Sequence, residues 1–257
     1  MQRITSCQNN KISEVAKLKI SKHRKNSKLF CAEGFKLTRE LISCGFEIVY
    51  CFVHENCDIS KLPKQIDTDL VYVVNDSVMK KISDMSTSPE IVTVAKEKQA
   101  DYVLDNENFI LALDAIQDPS NLGAILRSAE AFGVNTILLG EGCCDAFSPK
   151  TLRGAMGSVF RLNLVTVNLL NVLENYKDSG YDIIGAGLDR NYKTVDKLSQ
   201  SEKKLLIIGN EGNGISKPVM DLCDFGIFIP MSGKNESLNA AVAASIIMWE
   251  NKRQNNE

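Results

Sequence analysis

The chain has 257 residues, of which 44% are hydrophobic and 24% are charged. This composition is typical of a folded globular protein and excludes a disordered or fibrous one. No apolar run reaches the roughly 18 residues that a membrane span requires, and the N-terminal stretch MQRITSCQNN lacks the apolar core of a signal peptide. We therefore expect a cytoplasmic protein of one large or two modest domains, with no membrane partner.

Cysteine and histidine are poorly placed for disulfides or metal ions. The eight cysteines form no C-x-x-C pair, and Cys31, Cys44 and Cys51 lie in apolar stretches, so we predict that they are reduced and buried. His23 and His54 are the only histidines. They give too few ligands for the usual zinc sites, and we predict no metal.

Charge is distributed unevenly along the chain. The formal net charge is -2, yet residues 1–40 contain ten Lys or Arg against three Asp or Glu, which leaves -9 for the remainder. A basic end is expected for a protein that binds a polyanion, but a solvated basic helix face gives the same pattern. Charge alone leaves both interpretations open.

The first hundred residues predict a small α/β unit. Ile12, Val15, Leu18 and Ile20 follow helical spacing between residues 11 and 27, with lysines on the other side. A second helix is predicted from Gly34 to Ser43. Further elements are strands at 46–53, 70–74 and 90–96, and a short helix in DSVMKKISD.

A charged stretch without apolar periodicity, KEKQADYVLDNEN, covers residues 96–108. We place a linker at 101–108, between domains at 1–100 and 109–257. Beyond it, strand patterns such as FILALD, TILLG, YDIIGAG, LLIIGN and GIFIP alternate with helical ones. This alternation predicts a parallel sheet with helices on both faces, and ligands of such sheets bind at the carboxyl ends of the strands.

The first loop of interest, QDPSNLGAILRSAEAFG, leads into a helix at residues 117–133. Asn121 is a good N-cap, and Arg127 lies opposite the apolar stripe that faces the sheet. Small neighbours of Arg127 would let another backbone or a ligand approach. The alternative is a surface arginine paired with Glu130, which would contribute little.

Two later loops also follow predicted strands. LLIIGNEGNGIS, residues 205–216, runs from a buried strand into three glycines that permit close backbone approach. IFIPMSGKNESLNAAVAASIIMWE, residues 227–250, passes from a short strand through a polar loop to a helix that Ser237 can cap. The first half of that helix is almost all alanine, which is expected where something packs close to its backbone.

Taken in this order, the three loops resemble the SpoU/TrmH family of RNA 2′-O-ribose methyltransferases. The matching segments are N-x-G-x-x-x-R at Asn121, Gly123 and Arg127, the glycine loop at 209–214, and I-P-M-x-G-x-x-x-S-L-N at 229–239. The resemblance implies a SPOUT-type parallel sheet with a deep C-terminal trefoil knot. Residues 1–100 are similar, less specifically, to the L30e-like substrate-binding domain that precedes it in many members.

The resemblance also implies S-adenosylmethionine as cofactor and a homodimer as the working form. The residues that it assigns to the cofactor are Gly187, Gly209, Asn210, Gly212, Ile229, Met231 and Leu238. The residues placed in catalysis are Arg127, with Asn121, Ser237 and Asn239 fixing the geometry, and we expect Glu211 to pair with Arg127 or to help position it. For Arg127 we favour an electrostatic role, because an unperturbed guanidinium almost never gives up its proton, and a direct base role stays open.

The basic N-terminal residues then gain a function as the RNA-binding surface: Lys17, Lys22, Arg24, Lys25 and Lys28. By family analogy, 23S ribosomal RNA is the preferred target. A transfer RNA target and a non-catalytic RNA-binding relative stay open as alternatives. A nucleotide-dependent oxidoreductase is disfavoured, because no glycine fingerprint follows the strand FILALD.

Overall fold

The computed structural model describes residues 1–98, 107–198, 202–233 and 237–255. Two compact units are present: Met1–Lys98 together with Asp145–Phe160 forms the first, and the rest of the described chain forms the second. The predicted second domain therefore differs from the second unit, because residues 145–160 pack within the first. The predicted linker lies largely outside the described residues and stays a prediction.

The first unit contains a five-stranded mixed sheet in the order β1-β4-β3-β5-β2. β1 and β3 both run parallel to β4, and β5 runs antiparallel to β3 and β2. In chain order its elements up to Lys98 are β1 (Gln2–Ile4), α1 (Asn10–Lys17), α2 (Ser21–Ser27), β2 (Leu29–Glu33), α3 (Phe35–Ser43), β3 (Ile48–His54), β4 (Val71–Val74), α4 (Asp76–Ile82) and β5 (Ile91–Lys96).

Three features of this unit differ from the prediction. The helix expected over residues 11–27 is divided into α1 and α2, and Ile20 at the break is 57% exposed while Ile12, Val15 and Leu18 are buried. Strands β1 and β2 are additional. β1 is only three residues long and β2 follows directly on the basic helix, so neither shows a separate run of alternating residues.

The second unit contains a seven-stranded sheet in the order β10-β12-β9-β11-β6-β7-β8. All six strand pairs are parallel, as predicted. The elements after residue 107 are β6 (Phe109–Leu113), α5 (Pro119–Phe132), β7 (Thr136–Leu139), α6 (Pro149–Ala155), β8 (Asn163–Thr166), α7 (Leu169–Asp178), β9 (Asp182–Ala186), β10 (Lys193–Thr194), β11 (Lys204–Ile208), α8 (Lys217–Met220), β12 (Phe225–Phe228) and α9 (Ala240–Gln254); of these, α6 belongs to the first unit.

Burial on both faces of the second sheet explains its continuous apolar strands. Successive residues Ile110 to Leu113 of β6 are all fully buried, which is expected only where both faces are covered. Residues of α7 and α8, including Leu173 and Val219, pack with Ile110 on one face. At roughly 25 cal/mol per Å² of apolar surface, this burial is the main contribution that holds the strand ends in place.

All eight cysteines are free. Cys31 and Cys51 are buried, and burial raises the pKa of each thiol to about 12. Cys44 is only half-buried, so the prediction of burial was wrong there. Its position at the end of α3, as the C-cap residue, leaves one side of the thiol open to solvent.

The arginine predicted to bind RNA from α2 is the main correction in the first unit. Arg24 is 4% exposed. Its Nε donates to Asp145 Oδ2 at 2.8 Å, and its Nη1 donates to the carbonyl of Leu18 at 2.6 Å. Because its charge is paired inside the unit, Arg24 is unavailable to phosphate, whereas Lys17, Lys22 and Lys25 are exposed and Lys28 is half-buried.

Candidate active site

A cavity of about 420 Å³ lies in the second unit where three adjacent strands end. Its wall includes Gly187 after β9, the loop from Gly209 to Ile215 after β11, and Ile229 after β12. β9 lies between β12 and β11 in the sheet, so their carboxyl ends converge on one place. Ligands of parallel sheets bind at this edge, and the volume is within the range of small-molecule sites.

Every residue assigned to the cofactor by resemblance lines this cavity: Gly187, Gly209, Asn210, Gly212, Ile229, Met231 and Leu238. Two of the residues assigned to catalysis, Glu211 and Ser237, line it as well. Asn121, Arg127 and Asn239 do not. Ala240 and Ala243, from the alanine-rich helix start that the sequence marked for close packing, also line the cavity, whereas sequence reasoning missed the contribution of Tyr192.

The glycine loop after β11 is closed by its own backbone. Asn210 N donates to Gly214 O and Gly214 N donates to Asn210 O, both at 2.9 Å. A Cβ on Gly209 would lie inside van der Waals contact of the Gly214 and Ile215 backbone, so only glycine fits. A Cβ on Gly212 would have Asn210 Oδ1 as its nearest atom, at 3.6 Å, which is an ordinary contact. The packing of the protein therefore does not require this glycine, and its missing side chain leaves space in the cavity for a ligand.

A second glycine pair makes room for an aromatic ring. A Cβ at Gly187 would come within 2.7 Å of Tyr192 Cε2, and a Cβ at Gly226 would collide with the same ring. Tyr192 therefore packs against bare backbone just after β9 and near the start of β12. It gives the cavity a flat apolar wall beside backbone groups that can donate and accept hydrogen bonds, which suits a nucleoside-bearing ligand.

Asn210 anchors the glycine loop to the loop after β6. Its Nδ2 donates to Ala115 O at 2.8 Å, and its Oδ1 accepts from the backbone N–H groups of Gly212 and Asn213. Ala115 has φ 56°, a conformation that L residues rarely adopt. Both ends of the side chain are thus used to fix the backbone, and Asn210 supports the cavity wall.

A chain of side-chain amides connects the three sequence motifs. Asn239 Nδ2 donates to Asn121 Oδ1 at 2.8 Å, and Asn121 Nδ2 donates to Glu211 Oε1 at 2.9 Å. Glu211 also accepts from the backbone N–H groups of Gln117 and Asp118 at 3.2 and 3.1 Å. Each motif therefore holds the next in position.

These donors determine the protonation of Glu211. Partial burial by itself would raise its pKa, but the hydrogen bonds from Asn121 and from the backbone N–H groups of Asp118 and Gln117 outweigh it, and the pKa is lowered. Glu211 is therefore ionised at neutral pH, and its lone pairs are occupied by donors. It is suited to positioning the loop rather than to accepting a proton.

Two of the predicted caps proved wrong. α5 begins at Pro119 and is capped by Asp118, whose side chain accepts from Ser120 N, so Asn121 is free for the amide chain. α9 begins at Ala240 and is capped by Asn239, whose Oδ1 accepts from Ala241 N and Val242 N. Ser237 lies before the helix and lines the cavity instead.

The small residues of α5 and α9 are explained by their mutual packing. The two helices lie side by side, and Ser245 Oγ donates to Ser128 Oγ at 2.8 Å. Gly123 on α5 and Ala241 and Ala244 on α9 are buried. The close neighbour of α5 that the sequence indicated is thus the backbone of α9.

Arg127 is exposed and makes no hydrogen bond or ion pair with the residues that the structure describes. Its suggested partner Glu130 pairs with Arg161, so the interpretation of Arg127 as half of a surface ion pair was wrong. Asn121 and Arg127 are six residues apart, about 9 Å along a helix and on different sides of it. The amide chain and the guanidinium therefore face different directions.

Within the described ranges, no helix is long and apolar enough to cross a membrane, and no group of residues is arranged to hold a metal ion.

Two known protein families match this chain. The sequence profile of the SpoU rRNA Methylase family matches residues 108–249, and that of the MRM3-like substrate binding domain matches residues 9–93. The chain belongs to the SpoU rRNA Methylase family. The predicted fold class, a parallel α/β sheet preceded by a substrate-binding domain, is confirmed.

Individual relatives are similar to this chain over most of its length. The chain is 32% identical to the 23S rRNA (guanosine(2553)-2′-O)-methyltransferase RlmP of Bacillus subtilis, covering 97% of this chain and 98% of the relative. It is also 32% identical to the 23S rRNA (uridine(2479)-2′-O)-methyltransferase of Streptomyces viridochromogenes, covering 76% and 70%.

The AdoMet-bound rRNA methyltransferase from Sinorhizobium meliloti has a similar structure. The two chains superpose with a TM-score of 0.86 at 26% identity, covering 98% of each. AdoMet is S-adenosylmethionine, and in this chain the cavity at the ends of β9, β11 and β12 has the size and the backbone-rich wall to hold it.

Proposed function

We propose that the chain transfers a methyl group from S-adenosylmethionine to a ribose 2′-hydroxyl of RNA, with 23S ribosomal RNA as the target. The observation that carries this proposal is the cavity lined by all seven residues that the resemblance assigns to the cofactor. The relatives named as 23S rRNA 2′-O-methyltransferases support the substrate class. The chain acts in the cytoplasm, where ribosomal RNA is available to a bacterial enzyme.

The cofactor supplies an electrophilic methyl group on a sulfonium. The ribose oxygen would form a bond to the methyl carbon as the carbon–sulfur bond breaks with its electron pair left on sulfur, and the hydroxyl proton would pass to water. Both histidines, His23 and His54, lie in the first unit, and Glu211 is held as a hydrogen-bonded carboxylate. Neither the histidines nor Glu211 is therefore a good general base for this hydroxyl.

Arg127 is the residue that we assign to the hydroxyl. It acts by electrostatic stabilisation of the oxygen as negative charge develops and by holding the adjacent phosphate. Asn121 and Asn239 fix the helix and loop around it, and Ser237 lies on the cavity wall for contact with the ligand.

The position of Arg127 supports a homodimer. It does not line the cavity of its own chain, and a second copy would supply the missing guanidinium. On α9, Val242 and Trp249 are 46% and 51% exposed and are seven residues apart, so they share one helix face. We propose that this apolar face is the contact between the two copies.

We further propose the deep trefoil knot for the chain segment after β11. Support comes from Leu238, Ala240 and Ala243, which line the same cavity as the glycine loop although about 30 residues of chain separate the two. A trefoil knot requires the chain to return to an earlier loop in this way. Knotted chains are rare among proteins.

Arg127 provides the test of the function. We expect Arg127→Ala to lower kcat for ribose methylation of 23S RNA by about 100- to 1000-fold, as for removal of one positioned charged donor, with unchanged affinity for S-adenosylmethionine. Lys197→Ala, which removes another exposed cation of the second unit, is the control. Full activity of the Arg127 variant would refute its assigned role, and absence of RNA methylation by the wild type would refute the function.

A further inference from the structure

A second cavity, of about 390 Å³, lies in the first unit beside α1 and α2. Its apolar wall consists of Val15, Leu18 and Leu29, and Tyr50 of β3 adds an aromatic ring. Five polar or charged side chains lie among them: Glu14, Lys17, His23, Asn26 and Ser27. Apolar and aromatic walls combined with polar groups are the usual composition of a ligand site. None of the residues assigned to the cofactor belongs to this unit.

The ring of Tyr50 is held in a fixed orientation. Its centroid lies 6.0 Å from that of Phe52 and 6.0 Å from that of Tyr72, and the ammonium of Lys11 lies 3.7 Å from the Tyr50 centroid. Burial by itself would lower the pKa of Lys11, but hydrogen bonds with Tyr50 and Tyr72 raise it, so the cation persists at neutral pH. A rigid ring loses little entropy when a planar ligand stacks on it.

His23 and Asn26 are the polar groups of this wall that are available to a ligand. Neither side chain has a hydrogen bond within the described part of the chain, whereas the hydroxyl of Ser27 donates to His23 O and accepts from Leu29 N. An amide both donates and accepts. This pair of functions is what the edge of a nucleobase requires, and unpaired bases are read in this way.

One acidic and three basic side chains lie in and around this cavity. Glu14 contributes a carboxylate to the wall, which disfavours a phosphate inside and can accept from a base amino group. Lys22 and Lys25 on α2 are exposed, and Lys17 lines the cavity from the end of α1. None of the three has an ion pair among the described residues, so they are available to the phosphates on either side of a bound base.

We propose that this cavity binds one unpaired base of the RNA substrate, stacked on Tyr50 and hydrogen-bonded by Asn26, while the lysines contact the flanking backbone. The inference rests on the proposed function, since it takes RNA as the substrate. It adds that the first unit selects unpaired nucleotides, because a base within a duplex cannot enter a cavity.

The test compares two probes: a single-stranded RNA of roughly 12 nucleotides, a length within the range of known single-strand sites, and the corresponding duplex. Affinity is measured by fluorescence anisotropy for the full-length wild type and its variants, and S-adenosylmethionine affinity is measured by calorimetry as the control for the second unit. We expect the wild type to bind the single strand more tightly than the duplex.

Tyr50→Leu, which removes the ring, should weaken single-strand binding roughly 5- to 150-fold, the range found for loss of one base stack. Tyr50→Phe retains the ring and should bind nearly as the wild type does. Asn26→Ala should weaken binding about 2- to 10-fold through loss of one hydrogen bond. Asn56→Ala removes an exposed asparagine elsewhere in the first unit and should change nothing.

The outcomes separate this inference from the proposed function. If the wild type binds RNA and Asn26→Ala and Tyr50→Leu bind it equally well, the cavity is not a base site, although the methyltransferase assignment is unaffected. If the wild type binds S-adenosylmethionine but no RNA, the proposed substrate class is wrong and this inference fails with it. Should Tyr50→Leu not fold, Asn26→Ala, on the surface of α2, decides the question.

Discussion

Gly209 offers the most direct test of how the cofactor cavity is built. In Gly209→Ala the new methyl group would collide with the backbone of Gly214 and Ile215. Backbone cannot turn away as a flexible side chain can, so the loop must open. Opening breaks the two hydrogen bonds between Asn210 and Gly214. At about 0.5–1.5 kcal/mol each, this costs about 1–3 kcal/mol, similar to other overpacked sites.

That free energy should appear in two measurements. A domain of this size loses about 2–4 °C in Tm per kcal/mol, so thermal unfolding should shift down by about 2–12 °C. If binding of S-adenosylmethionine must restore the closed loop, the same free energy weakens its affinity by about 5- to 150-fold, measured by calorimetry.

Gly212→Ala is the matched control for the same loop. Its Cβ would lie 3.6 Å from Asn210 Oδ1, an ordinary contact, and its φ is not in the left-handed region. We expect Tm to be unchanged and cofactor affinity to fall, because the methyl group enters the cavity. Wild-type Tm and affinity in Gly209→Ala would show that the loop is not closed in this way. A lowered Tm in Gly212→Ala would equally refute the reasoning.

Two further predictions concern Glu211 and α9. The pKa of Glu211 is lowered from 4.5, so its contribution to stability is present above pH 4.5 and is lost as the pH falls through the lowered value. Urea unfolding of Glu211→Gln should therefore show lower stability at neutral pH and a smaller loss on acidification than the wild type; equal slopes would contradict this. Trp249→Glu places a charge in the proposed dimer contact, and light scattering should detect monomers. A dimeric variant, or a monomeric wild type, would exclude α9 as the interface.

Helix caps show where local sequence is an insufficient guide. Asn121 and Ser237 are residue types that favour N-caps, and both positions are close to a helix start. Asp118 and Asn239 take those roles, since their side chains reach the backbone N–H groups of the first turn. The residues within a few positions of each helix start do not show which of the two candidates caps the helix. The choice depends on Glu211, which lies about 90 positions away from Asn121 and accepts its amide.

Arg24 shows the same limit for charge patterns. It belongs to a run of basic residues, and each of them is equally suited to phosphate when only the sequence is known. Within a single turn of helix, the exposed Lys22 and Lys25 flank the buried Arg24, and Asp145 compensates the buried guanidinium. Asp145 is more than a hundred residues away, in a segment that packs with the first unit although it is enclosed in sequence by the second. No periodicity near α2 indicates such a partner.

The sequence alone was sufficient for the alternation of strands and helices, the parallel sheet and the loops that carry the site. Hydrophobic periodicity and glycine requirements are local properties, and the carboxyl ends of parallel strands necessarily share one edge. Tertiary structure alone decided which polar side chain satisfies which buried group, as in the chain from Asn239 through Asn121 to Glu211. These pairings depend on distances between elements far apart in the chain, and a hydrogen bond tolerates only a few tenths of an ångström of error in them.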